Sequence, residues 1–352
     1  MPTSRKPVEP VSAHLLNASS RLSTRGESAE VINASRNGYI TRTLCWNFTK
    51  GAVGMVTKTR LVGRIKFDNA LLKKDLKVLS ELPVIKEQYD EFSSGTWINH
   101  SLWNRTGEWT DTQYSDYDHP AIRTQVGTAT SYISQIIENY FDVEHMRMAR
   151  VRNLVNGLVI PHTDFLELSE KKDRYVRILI PLETCIDSYH TEEKFGVFRM
   201  RRGDIWILES TVPHAALNLT SNNRRILSLD FQYADIPNPH YSLIFKDLSI
   251  HDETVAPALV ARTRLEPEDL QDHLELLAER FNHKDDAEQI LVNLSKVQLR
   301  FESPVSDIYK NLTEVARLTR RQELVEHCEE MQRFYIGSRV MNERFPLRKE
   351  LF

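Results

Sequence analysis

Between Val159 and Asp230 the chain alternates short apolar runs with turn residues, and that rhythm leaves few folds open to it. The stretch opens with Val159-Ile160-Pro161-His162-Thr163-Asp164 and continues through Tyr175–Leu182. A Gly203-Asp204 turn then leads into Ile205-Trp206-Ile207-Leu208, His214 and the closing run Arg224-Arg225-Ile226-Leu227-Ser228-Leu229-Asp230. Runs this short, evenly spaced and broken by tight-turn signals predict a jelly-roll β-core, a double-stranded β-helix.

The polar residues in this stretch are chemically loaded. Side chains two apart in a strand point to one face, so His162 and Asp164 would aim an imidazole and a carboxylate at one point. His214 would add a second imidazole from a distant strand. Two histidines and one carboxylate leave coordination positions open, the ligand set of non-haem Fe(II) oxygenases. The competing reading is a chance triplet with satisfied core histidines. Arg224 weighs against it: a charge inside an alternating apolar run is costly unless it meets an anion.

The whole chain sets the frame. Its 352 residues, 41% hydrophobic and 27% charged, suffice for a large core. A net charge of −3 gives no basic footprint, which argues against a nucleic-acid partner. No apolar run is long enough for a membrane span, and the N-terminus lacks the apolar core of a secretory signal. Cys45, Cys185 and Cys328 form neither a disulfide framework nor a zinc spacing, which points to a reducing, cytoplasmic setting. The triplet Asn218-Leu219-Thr220 lies too close to His214 to be read as a glycosylation site.

Taken in order, residues 1–56 read as a flexible extension rich in Ser, Asn and Arg, with a transit peptide as the alternative. From 57 to 254 the pattern is that of the β-helix domain. Leu61–Phe67 alternates like a strand, and Asp68 caps a helix carrying Leu72, Leu76 and Leu79 that ends before Pro83. The aromatic, turn-rich segment Tyr89–Trp97 either lines a pocket or is plain core. Ile122–Phe141 reads as one helix. Met146, Met148, Arg150 and Arg152 share a face that runs into the His162 strand. These two arginines would bind a carboxylate bidentately, or else are solvated. Arg177 interrupts an apolar strand and needs an anionic partner. His190 lies in a polar stretch, as a ligand contact or merely exposed. From 255 to 352 apolar stripes at helical spacing, such as Leu270-Leu274-Leu277 and Ile308-Leu312-Val315, predict a helical module. It would pack on the β-core or serve a homodimer contact.

Several of these segments together resemble the bacterial L-proline 3-hydroxylases. They are Tyr89-Asp90-Glu91-Phe92-Ser93, Ala149-Arg150-Val151-Arg152-Asn153-Leu154, Ile160-Pro161-His162-x-Asp164-Phe165, Asp173-Arg174-Tyr175-x-x-Arg177 and Arg202-Gly203-Asp204-Ile205-Trp206. The likeness continues through Val212-x-His214-x-Ala216-x-Asn218, Arg224 and Leu294-Ser295-Lys296-Val297, from about residue 57 to the C-terminus. The resemblance implies an Fe(II)- and 2-oxoglutarate-dependent dioxygenase that consumes O2 and releases succinate and CO2. It implies His162, Asp164 and His214 as iron ligands and Arg224 as the partner of the distal carboxylate of 2-oxoglutarate. Arg177 and His190 are assigned with Arg224 to the cosubstrate, and Arg150, Arg152 and Trp97 to the substrate. That substrate is expected to be a free cyclic imino acid, L-proline or L-pipecolate, attacked at C3. Retention of Asp164 implies hydroxylation in place of halogenation. The same chemistry on peptidyl Asp or Asn, and a non-catalytic cupin-like metal module, are the rival expectations.

Overall fold

Strand β1 (Arg60–Arg64) leads into helix α1 (Asn69–Glu81), and the junction is written in the sequence. The Asp68 carboxylate accepts from the amides of Ala70 and Leu71 at 2.8 and 3.0 Å, satisfying two of the donors that a helix start leaves open. Leu72 and Leu79 fall on one stripe and are buried. In this computed structural model the described residues are 58–84, 93–165, 168, 170–337, 339–341 and 343. They belong to one compact unit, Val53–Phe352. The expected 1–56 extension, Cys45 and Tyr89–Phe92 lie outside the described residues.

Strand β2 (Ser93–Asn104) and the two-residue β3 (Ile122–Arg123) precede helices α2 (Gln125–Ala129) and α3 (Ser131–Tyr140). The sequence reads here as one helix, but the chain breaks at Thr130, whose backbone leaves the helical region at φ −94°, ψ 63°. Thr124 caps α2 by accepting from Gly127 N, and the Thr130 hydroxyl donates to the Val126 carbonyl at 2.8 Å. Threonine hydroxyls compete in this way with the helical ladder. Gly127 is required at the break: a Cβ there would sit 2.3 Å from the Leu102 carbonyl oxygen.

The β-core follows as β4 (Met146–His162), β5 (Tyr175–Glu183), β6 (Ser188–Glu192), β7 (Gly196–Arg199), β8 (Asp204–Leu208), β9 (His214–Asn218) and β10 (Arg224–Gln232), with β11 (Ala258–Leu259) at one edge. The order β1-β8-β5-β10-β4-β9-β6-β7-β11 is antiparallel throughout, with β2 added along β4. The sheet curls on itself as the expected jelly roll. Strand β4 carries the turn from one wall to the next. Met146–Leu154 pairs with β10, whereas Gly157–His162 pairs with β9. Between them Asn156 adopts φ 45°.

Strict alternation then sorts the side chains. Arg150, Arg152, Arg177, Arg224, Ile226 and Asp230 point inward. Val151, Ile178, Ile180, Leu227 and Leu229 point outward into a core shared with α1 and α3. Both faces are covered, which is why these strands read as nearly continuous apolar runs.

Beyond β10 come the short α4 (Tyr241–Ile244) and then α5 (Pro267–Ala278), α6 (Ala287–Arg300), α7 (Asp307–Leu318) and α8 (Gln322–Ile336). Pro267 occupies the first turn of α5, where its missing N–H costs nothing. The stripes of these helices bury against Leu158, Ile160, Val197, Ala215 and Leu217, the outward residues of the second wall. No helix among the described residues is long and apolar enough to cross a membrane.

Candidate metal centre and active site

His162 ends β4 and His214 begins β9, and the two are paired across the ladder with ring centroids 4.4 Å apart. Asp164 lies just past the strand end, where its amide donates to the Ser210 carbonyl at 2.9 Å. The convergence therefore comes from a strand end and the turn after it, not from two positions of one regular strand. One ligand atom from each of the three lies within 4.8 Å of the others.

The imidazoles are pre-oriented for a metal. His162 Nδ1 is 2.7 Å from the Ile160 carbonyl, and His214 Nδ1 is 3.0 Å from the Val212 carbonyl. A carbonyl only accepts, so each Nδ1 carries the proton and each Nε2 keeps its lone pair. Burial pushes His162 well below the usual imidazole pKa and lowers His214 as well, favouring the neutral state that ligation needs. Burial alone would raise the Asp164 carboxyl. The Arg177 guanidinium overcomes it and holds the group well below the carboxylate range. Two neutral imidazoles and an ionised carboxylate at this spacing fit a ferrous ion with open positions.

The anion that Arg177 requires comes from the chain itself. Its Nη1 donates to Asp164 Oδ2 at 2.5 Å and its Nε to Asp230 Oδ1 at 2.7 Å. Asp230, fully buried, also accepts from Tyr175 Oη at 2.5 Å and from Arg150 Nη2 at 3.1 Å. Arg150 further donates to the Thr112 carbonyl at 2.9 Å. Arg150 and Arg177 are thus neutralised by protein carboxylates.

Arg152 and Arg224 differ: neither makes an ion pair among the described residues, though both line the cavity that holds the triad. Burial, then Arg150 and Arg177, lowers Arg152 to about 9, and burial lowers Arg224 to about 10. The Arg152 guanidinium lies 6.0 Å from the Trp97 ring centre. Arg224 Nη2 is 3.4 Å from His190 Nδ1. Because a guanidinium only donates, His190 must accept at Nδ1 and carry its proton on Nε2. That Nε2 is buried with no hydrogen-bond partner among the described residues. His190 and Arg224 therefore present adjacent donors to the same cavity.

All nine sequence-assigned residues line this one cavity. The sequence reading did not single out Asp230 as a partner, nor Arg339, which enters the cavity wall from beyond α8. Asp230 carried a usable signal, since it shares the strand parity of Arg224. Arg339 carried none.

A curled antiparallel β-sheet whose interior holds two histidines, one carboxylate and cations set for carboxylates is a jelly-roll oxygenase of the 2-His-1-carboxylate class. Comparison with known families agrees. The model described as "L-proline 3-hydroxylase, C-terminal" matches residues 241–343, and that of aspartyl/asparaginyl β-hydroxylase matches 69–233. Two Streptomyces sp. proteins, L-proline cis-3-hydroxylases 2 and 1, are 34% and 32% identical, each over 82% of this chain and 99% of the relative. The L-proline cis-4-hydroxylase of Rhizobium meliloti is 28% identical over 81% of this chain and 98% of its own. The chain belongs to the L-proline 3-hydroxylase family and is a 2-oxoglutarate- and Fe(II)-dependent dioxygenase.

Proposed function

We propose that this protein hydroxylates a free cyclic imino acid, L-proline or L-pipecolate, at C3. The observation that carries the reading is a pair of guanidiniums in the cavity wall left without an ion pair among the described residues, the half-buried Arg152 and the buried Arg224. Arg224, with the Nε2–H of His190 beside it, would take the distal carboxylate of 2-oxoglutarate. Arg152 remains for a second carboxylate, that of the substrate. Trp97, Leu154, Val159 and Ala216 form one apolar cluster beside it, suited to ring methylenes.

When bound by His162, Asp164 and His214, iron with 2-oxoglutarate and O2 supplies the oxidising power, yielding succinate, CO2 and one oxygen atom for the substrate. The chain positions. Arg152 fixes one end of the imino acid and the apolar cluster sets its ring against the metal side of the cavity. The buried wall excludes water from the reacting carbon. The C3 assignment follows the relatives of higher identity; the cis-4-hydroxylase is a more distant match.

A panel of free amino acids scored for substrate-dependent succinate release, with mass spectrometry of the product, tests this. L-Proline or L-pipecolate should stimulate succinate release and gain one oxygen atom at C3. A second reading, hydroxylation of Asp or Asn within a peptide, is favoured by the family match over residues 69–233. Turnover of such peptides and of no free amino acid would replace the first reading with the second.

A further inference from the structure

The segment between β2 and β3 closes one side of the cavity and is tied down along its length. Asn104 Nδ2 donates to the carbonyls of Glu108 and Asp111 at 2.6 and 2.8 Å. Arg150 donates to the Thr112 carbonyl at 2.9 Å, and the Tyr117 hydroxyl donates to the Arg147 carbonyl. Between these anchors Tyr114, 5% exposed, enters the cavity wall. Its ring meets that of Tyr175 edge-on, with centroids 5.7 Å apart, and packs in a buried cluster with Met148. Its hydroxyl donates to Gln232 Oε1 over a long 3.4 Å.

We propose that Tyr114 is a specificity-determining residue whose hydroxyl oxygen accepts a hydrogen bond from the ring nitrogen of the imino acid. The inference rests on the free-imino-acid reading above, which leaves the nitrogen without a partner. In a zwitterionic imino acid the cationic nitrogen and the carboxylate hang on the same carbon. Arg152 lies two residues from Arg150 on the inward face of β4, and Arg150 grips the Tyr114 segment at Thr112. A nitrogen next to a carboxylate held at Arg152 is therefore on the side that this segment closes. The carboxylates nearby are taken. Asp164 belongs to the metal site and to Arg177, and Asp230 already accepts from Tyr175, Arg177 and Arg150. Cations here outnumber anions, so a charged N–H needs an acceptor of its own. Burial, reinforced by Asp230, raises the Tyr114 phenol above its ordinary pKa and keeps it neutral. With its proton turned to Gln232, the phenol oxygen keeps its lone pairs for an incoming N–H. A site built this way rejects an analogue that lacks the donor.

The test compares a ring nitrogen with a ring oxygen. Wild-type and Y114F proteins are assayed with L-proline and L-pipecolate, and for competitive inhibition by (S)-tetrahydrofuran-2-carboxylic acid, which keeps the carboxylate and ring but has no N–H. Phenylalanine retains the contact with Tyr175 and deletes only the hydroxyl. Loss of a hydrogen bond to a charged group should lower kcat/KM for the imino acids roughly tenfold to a hundredfold, while Ki for the oxygen acid stays within about twofold. With its nitrogen unheld the ring should also pivot, so that less hydroxylated product forms per succinate released. KM for 2-oxoglutarate and the anaerobic Fe(II)–2-oxoglutarate charge-transfer band should not move. Unchanged kcat/KM in Y114F overturns the proposal. So does an equal loss for the imino acids and the oxygen acid, which assigns Tyr114 to pocket shape alone. Should the oxygen acid fail to inhibit wild type, the product-to-succinate ratio decides, and an unchanged ratio in Y114F overturns the proposal. If wild-type protein turns over neither L-proline nor L-pipecolate, the imino-acid reading itself has failed; turnover that Y114F leaves unaltered fails only the role of Tyr114.

Discussion

Arg177 holds one oxygen of Asp164 at 2.5 Å and thereby leaves the other, Oδ1, facing His162 Nε2 at 3.7 Å. The carboxylate is thus prepared to bind a metal through one oxygen, which keeps more positions for cosubstrate and O2. Arg177→Gln should lower Fe(II) affinity roughly tenfold to a hundredfold, the usual effect of losing a partner that orients a ligand. It should also cost about 3–5 kcal/mol of stability, because Asp164 stays buried without its cation and Asp230 keeps only Arg150 of its two guanidinium partners. Chelator competition and denaturant titration measure the two effects. Retention of iron within twofold of wild type would show that the bridge does not orient Asp164.

Arg224 should govern 2-oxoglutarate and little else. Truncating one side of a buried charge pair costs about 2–5 kcal/mol, so Arg224→Ala should raise KM for 2-oxoglutarate by roughly two orders of magnitude. His190→Phe keeps an aromatic ring but removes both the Nε2–H donor and the Nδ1 that accepts from Arg224, and should raise the same KM roughly tenfold. Steady-state kinetics at saturating amino acid separate these effects from substrate binding. A variant with unchanged KM for 2-oxoglutarate and a raised KM for the amino acid would reverse the assignment.

His162→Ala removes one of the three candidate ligand atoms. Anaerobic addition of Fe(II) and 2-oxoglutarate should give a weak visible charge-transfer band with wild-type protein and none with the variant. Persistence of the band in His162→Ala would place the metal elsewhere.

His100, on the outer face of β2, predicts an acid limit to stability. Burial, reinforced by Arg225, lowers its pKa from 6.5 to about 4, so the folded protein resists a proton that the unfolded chain accepts. Stability carried by the neutral ring is intact above pH 6.5 and is lost as pH falls from 6.5 toward 4. His100→Gln in metal-free protein should remove up to about 3 kcal/mol of that loss. Denaturation midpoints followed across this window would refute the assignment if wild type and variant fell in parallel.

The candidate triad His162, Asp164 and His214 and the cation Arg224, which the structure brings into one cavity, could be picked out of the sequence because each is a costly polar group within or at the end of an apolar run. The Asp68 cap and the stripes of α5 to α8 were legible for the same local reason. Arg177 announced a need for an anion without saying which. Asp230 answers it across the ladder, and the pairing of β5 with β10 is a matter of topology. The expected helix over 122–141 broke because Thr124 and Thr130 bond their own backbone, a competition that apolar spacing cannot register. Arg339 was invisible: its contact with Thr163 spans 176 residues and joins two unlike elements.

Strand β4 bears both Arg152 and His162, so the cation proposed for the substrate and the first candidate metal ligand are beads on a single thread. Their separation is a length of extended backbone, about 3.3 Å for each residue, bent at Asn156 and Gly157. It does not depend on how loosely two independent pieces are packed. A captive molecule gripped at one bead is measured out against the other, and breathing of the surrounding walls leaves that ruler nearly constant.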